Sequence, residues 1–391
     1  MGPLLIFDKS FLQMLNGDEV FELGLHFKFV GTPTLIGEII ADLKLEPSER
    51  VIPTAVVQAL SKKMQTAHGL QPANYRKLAR ANLLAHPISM IGQVVVDGAA
   101  DNVSTIDGGK GLLYDSTPEQ RMWARWAAGD FSTEDEETAG IWRNGIEQID
   151  LDGVIKVWKE FSLKHFATTK NQNELIAALN AFLSDPSPTK QREILEMALN
   201  LAKSIEPERR FALALQRIGE MPSVNEFAPY AVSVLRLFLA FVCGLARGFV
   251  GPRPTNYIDL QYLYYAPFCM VFVSNDKFQR DMWGATSGVN SFVWGQDLKD
   301  DLRYRLAARE EAKKHDGTTP SATGSESNGV APTAIADMRK KYLRETKEDG
   351  RSCRAKTFND LEPEIQEHFK KAMAEFDRID VARSVEETKR K

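Results

Sequence analysis

Asp8, Glu38, Asp259 and Asp276 are the side chains whose types and settings point most directly to chemistry. Two of them follow short, continuous apolar runs. Leu4-Leu5-Ile6-Phe7 ends on Asp8, and Met270-Val271-Phe272-Val273 leads through Ser274 and Asn275 to Asp276. Such runs are the pattern of strands buried on both faces of a parallel sheet, whose ligand sites lie at the carboxyl ends of the strands. Glu38 falls on a helix that follows a second strand-like stretch, Phe27 to Val30, and Asp259 opens a helix reaching Phe268. Four carboxylates converging on one sheet edge cannot all stay ionised unaided. Mg²⁺ or Mn²⁺, hard cations that prefer oxygen ligands, would relieve that repulsion. Ions held in this way can activate water for phosphodiester hydrolysis.

The elements that must position these acids are legible around them. Ser10 is a candidate N-cap for a short helix to about Leu15, and Thr32 or Thr34 for a helix through Leu43. On that second helix Glu38 and Asp42 stand four apart on one face, where like charges repel. A cation is the obvious reason for tolerating them. Asp42 and Ser274 are supporting candidates. Lys9, Lys277, Arg280 and Arg253 flank the acids and could hold phosphates, as could Arg247, just before the third acid. Ordinary readings stand beside each assignment. Asp8 and Asp259 could be helix caps, Glu38 a solvated acid, Asp276 a turn residue, and the lysines surface ion pairs. Only the conjunction of all four acids favours a metal site.

Between these blocks, residues 46–250 are mainly helical in pattern, with breaks at Pro53, Pro87, Gly108 to Gly111 and Pro222. Trp123, Trp126, Trp142 and Trp158 lie there and read as core. The run Leu237 to Ala246, bracketed by Arg236 and Arg247, is too short to span a bilayer and reads as a buried helix, so no membrane partner is expected. Residues 313–333 read as a flexible linker and 334–391 as a charged helical tail. A net charge of −4 excludes coating of nucleic acid by bulk positive charge. Three cysteines without a CxxC pair, and scattered histidines, give no zinc site; reduced thiols and a cytoplasmic setting are expected. Asp107-Gly108-Gly109-Lys110-Gly111 lacks the upstream glycine of a phosphate loop, a position held by Ser104.

The ordered segments IFDKS (6–10), TPTLIGEI (32–39), YIDLQYLYYAPF (257–268) and VFVSNDKF (271–278) resemble the PIN-domain nucleases. The resemblance implies an α/β fold with a central parallel sheet flanked by helices. It also implies an acidic pocket for Mg²⁺ or Mn²⁺ at Asp8, Glu38, Asp259 and Asp276, with Ser274 in a hydroxyl position of the family's signature. The implied substrate is RNA or single-stranded nucleic acid. The toxin or defence roles common in the family enter only by analogy. The resemblance covers residues 1–45 and 251–297; the PIN-like domain would then comprise 1–45 and 251–312, and the stretch 46–250 would be a large, mainly helical insertion, its last helix a candidate member of the PIN-like core. The insertion or the tail would then be the place for a regulatory protein partner. The rival expectation is a catalytically silent PIN-like scaffold serving as an interaction module.

Overall fold

Leu4–Phe7 form β1, and three of its four residues are buried, as a strand covered on both faces requires. The computed structural model that places it describes residues 3–48, 51–66, 70–95, 101–104, 110–113, 118–217, 223–286, 290–316, 334–338 and 341–342. The chain continues through α1 (Lys9–Met14), α2 (Gly17–His26), β2 (Lys28–Phe29), α3 (Pro33–Ala41), α4 (Pro53–Thr66) and α5 (Tyr75–Leu83). An antiparallel hairpin of β3 (Asp101–Ser104) and β4 (Lys110–Leu113) follows, where the sequence pattern predicts only a break between helices. Then come α6 (Pro118–Ala128), α7 (Thr133–Glu147), α8 (Leu151–Phe166), α9 (Gln172–Leu183), α10 (Pro188–Leu201), α11 (Glu206–Arg217), α12 (Val224–Phe227) and α13 (Pro229–Ala246). The last described elements in this order are α14 (Pro254–Leu263), β5 (Val271–Ser274), α15 (Lys277–Met282), β6 (Ser291–Trp294) and α16 (Gly295–Asp316). The expected linker starts too early, because 313–316 are the last turn of α16; its remainder, 317–333, lies outside the described residues, and of the expected tail only 334–338 and 341–342 are described.

The protein is α/β, with a small, all-parallel sheet ordered β2-β1-β5-β6 in a mostly helical chain. Register pairs Leu5 with Phe29 on one side and Phe7 with Val273 on the other, and Ser274 with Trp294 at the far edge. Parallel neighbours need crossovers, and the helices between the strands supply them. The described residues divide into two compact units. One comprises those of Met1–Ala73, Met90–Ile176 and Leu237–Glu348, and the other those of Asn74–Ser89 and Ala177–Arg236.

In the sheet-bearing unit, α4 packs on α6 and α3 on α7. The α3–α7 contact is close: a Cβ built on Gly37 would lie 2.5 Å from the Trp142 ring. Arg247 donates to the carbonyls of Phe166, Ala167 and Thr169, closing the C-terminal end of α8. The charged helix α16 is more than a solvated rod. Arg303 and Lys299 reach Glu19, and Arg309 reaches Glu22 at 2.7 Å, both acids being buried on α2. Burial pushes the Glu22 carboxyl up, but the His26 hydrogen bond and the Arg309 charge outweigh it and hold the group below its usual range. The described part of the tail docks at the opposite end of the strands from the acids. Ile335, Met338 and Tyr342 are buried, the Ile335 N–H donates to Asp301 Oδ2 at 2.9 Å, and the Tyr342 hydroxyl donates to the Met270 carbonyl at 2.5 Å.

The smaller unit is organised by buried polar side chains. Asn82 Oδ1 accepts from the Tyr230 and Ala231 N–H groups at the start of α13. Arg80 pairs with Glu208 through both its Nε and its terminal nitrogen, and the Gln191 side chain accepts from the Val224 N–H. Helix α13 is long and apolar enough to cross a membrane by length and composition, yet most of its residues are buried within the protein. That pattern suits the core helix read from its sequence.

Because Gly37 sits flat against a tryptophan ring rather than a flexible chain end, Gly37→Ala should destabilise the protein by about 1–3 kcal/mol. Urea unfolding measures this. A variant as stable as the wild type would mean that Trp142 yields without cost.

Candidate functional site

The four acids sit at the carboxyl ends of the strands or on helices beside them. Asp8 directly follows β1 and caps α1: its Oδ1 accepts from the Phe11 N–H at 2.7 Å and from the Ser10 hydroxyl at 2.9 Å. The cap is therefore Asp8 and not Ser10. Its Oδ2 accepts from the Ser274 hydroxyl at 2.5 Å. Ser274 ends β5, is fully buried, and accepts in turn from the Asp276 N–H at 2.8 Å. One hydroxyl thus ties the first acid to the backbone of the fourth across two adjacent strands. Asp276 caps α15, accepting from the N–H groups of Phe278 and Gln279. The reading of Asp8 as a helix cap holds; Asp276, read as a turn residue, is the cap of α15, and the two caps fix the orientation of both carboxylates.

Glu38 lies on α3, whose start is capped by Thr32 and preset by Pro33. Its Oε2 accepts from the hydroxyl of Tyr262, a fully buried residue of α14. Asp259 sits in the middle of α14 and does not open it, because Pro254 starts the helix earlier with Arg253 at the N-cap. Asp259 and Tyr262 are three apart and so share one face of that helix. That spacing is the sequence signal that links the tyrosine to the acids. Gln279 escaped sequence reasoning altogether: it is fully buried, its Nε2 donates to the Asp259 carbonyl at 3.0 Å, and its Oε1 has no hydrogen-bond partner among the described residues.

Electrostatics links the set. Burial pushes Asp259 up to about 8, and the charges of Asp276, Glu38 and Asp8 add to the shift while Arg253 opposes it. Asp8 is raised chiefly by burial, with a further push from Asp276, against the hydrogen bonds from Ser274, Phe11 and Ser10. Glu38 is raised chiefly by burial, with Asp8 and Asp42 adding to it and Tyr262 and Lys9 opposing. Asp259 therefore feels the other three, Asp8 feels Asp276, and Glu38 feels Asp8. Among the described residues, however, no three His, Cys, Asp or Glu side chains form a group that could hold a metal ion between them directly.

The flanking cations differ from one another. Lys9 is turned inward, donating to Asp42 Oδ1 at 2.6 Å and to the Glu38 carbonyl at 3.1 Å. The repulsion between Glu38 and Asp42 thus has a resident cation, and this ammonium is engaged within the protein. Arg247 is likewise occupied at the end of α8. Lys277, Arg280 and Arg253 are exposed. Tyr257 packs against Phe241, while Tyr264 and Tyr265 are buried. The chain matches no family model, no curated protein and no solved structure.

The raised pKa of Asp259 has a direct consequence for stability. Between the usual aspartate range and about 8, the folded chain keeps a proton that the unfolded chain has released. Stability attributable to this group must therefore fall as pH rises through that window. In EDTA, Asp259→Asn should melt higher than the wild type at about pH 8.5, with the gap closing towards about pH 4. Thermal melts at the two pH values check this; a gap that does not depend on pH would refute the assignment.

Proposed function

We propose that this protein is a PIN-like, Mg²⁺- or Mn²⁺-dependent endonuclease that hydrolyses phosphodiester bonds in RNA or another single-stranded nucleic acid. The observation that carries the reading is the electrostatic coupling of Asp8, Glu38, Asp259 and Asp276, drawn from separate segments to the carboxyl edge of a parallel sheet. The donor chemistry fits a hard cation. The ligands offered are all carboxylate oxygens, and three of the four are pushed towards protonation when nothing balances their charge. Asp8, Glu38, Asp259 and Asp276 would hold the ion, in part through water. When bound, a divalent ion supplies the charge that lets these groups ionise together and acidifies water for attack on phosphorus.

The chain's own residues do the positioning. Ser274 fixes Asp8 against the α15 turn, and Tyr262 fixes Glu38 from α14. Lys9 neutralises Asp42, so that this carboxylate does not add a full charge beside Glu38. Lys277, Arg280 and Arg253 stand exposed at the rim, where they can meet phosphates. A second reading, a silent PIN-like scaffold that binds protein or RNA, draws support from Asp8. Both of its oxygens are already bonded within the protein.

Cleavage of labelled single-stranded RNA and DNA in Mn²⁺, Mg²⁺ or EDTA separates the two readings. Metal-dependent cutting by the wild type and its loss in Asp8→Asn are expected; full activity in Asp8→Asn would sink the site. No cutting of either substrate, together with no Mn²⁺ uptake by calorimetry, would favour the scaffold. Ser274→Ala, which removes the group that orients Asp8, should lower activity or metal affinity by about 10–100-fold, as loss of a ligand's hydrogen-bonding partner does. A variant indistinguishable from the wild type would remove Ser274 from the site.

A further inference from the structure

Trp294 ends β6, the outer strand of the sheet, and pairs in register with Ser274. Neighbouring strands lie about 4.8 Å apart, so this tryptophan stands beside the serine that holds Asp8. Its side chain projects from the same face as Phe292, two residues earlier, whose ring stacks on Phe272 with centroids 6.0 Å apart. The aromatic series thus runs from the buried sheet centre towards the rim of the acidic cluster, and Trp294 is its last, partly exposed member. Arg280 comes from α15, the helix between β5 and β6. Its guanidinium lies over the Trp294 ring, 5.1 Å from the centroid. Arg280 is one turn along α15 from Asp276, to whose carbonyl its own N–H donates. The only acid its side chain meets in an ion pair among the described residues is Asp281, at a loose 3.8 Å, and about half of that side chain is exposed.

We propose that Trp294 and the Arg280 guanidinium over it form a stacking platform for an unpaired nucleobase next to the phosphate held at the acidic cluster. The platform presupposes the hydrolytic site proposed above and adds its selectivity. An aromatic ring and a guanidinium both offer flat faces on which a base can stack, largely without regard to sequence. A base inside a duplex has both faces covered and cannot use the platform. Arg280 thereby reads a base face as well as any phosphate charge, and the strand preferred is an unpaired one.

Fluorescence anisotropy in Ca²⁺, with substrate integrity checked on denaturing gels, tests this. The probes are a labelled single-stranded deoxyoligonucleotide and the same backbone carrying abasic sites. The wild type should bind the base-bearing strand about tenfold more tightly than the abasic one, within the range expected for base–aromatic stacking. Trp294→Leu should bring the two affinities to within about twofold, while Trp294→Phe keeps most of the preference. Arg280→Gln should weaken binding to both strands and also reduce the preference. An unchanged preference in Trp294→Leu, or equal wild-type affinity for both probes, overturns the platform and leaves the nuclease reading to the Asp8→Asn assay. No binding of either strand by the wild type overturns the platform and leaves the nuclease reading to the cleavage assay on RNA and DNA. Should Trp294→Leu fail to fold, judged by circular dichroism, Arg280→Gln decides: a full preference in that variant refutes the proposal.

Discussion

Carboxylates drawn partly out of water at one sheet edge repel each other, and much of the surrounding structure answers that repulsion. Asp8 is met by three hydrogen-bond donors, Glu38 by a buried tyrosine hydroxyl, and Asp42 by an ammonium. Asp276 takes two backbone N–H groups at the start of α15. Asp259 accepts no side-chain hydrogen bond among the described residues; burial and the neighbouring acids push it up to about 8, with the Arg253 charge opposing. A fold optimised only for stability would place no charge there. An opposite charge bound there would lower that cost, as the proposed function requires.

The helices around the site act as a frame. α3 brings Glu38, and α7 fixes α3 through the flat contact of Trp142 on Gly37. α14 brings Asp259 and Tyr262 together on one face. Far from the acids, α16 neutralises Glu19 and Glu22 and then offers Asp301 to the docked segment around Ile335. The same chain therefore uses charge in two ways. Under α16 buried acids are matched by cations reaching in from the helix, and at the sheet edge like charges are gathered together.

Much of this was legible in the residues. Leu4–Phe7 is a strand because four consecutive apolar side chains suit only a doubly covered position, and Thr32 before Pro33 marks a helix start by its chemistry alone. Where the reading slipped, tertiary context decided. Pro254 begins α14 before the first apolar residue, which puts Asp259 in mid-helix. β6 is four residues of an outer strand, half-buried throughout, with too little periodicity to separate it from a loop. Lys9 looks like a rim cation in one dimension, but only the fold shows Asp42 within its reach. No local pattern could reveal that Tyr262 reaches Glu38 across most of the chain.

The bond between Ser274 and Asp8 joins residues 266 positions apart. β1 lies between β2 and β5, so during synthesis it remains a half-paired strand until almost three quarters of the chain has emerged. Contacts of such long range form late and slow folding. The acidic edge therefore comes into being only after β5 and Asp276 have emerged. An unfinished chain on the ribosome carries Asp8 and Glu38 but none of the partners that would make them a site. Topology alone sets the order in which the acidic edge is assembled.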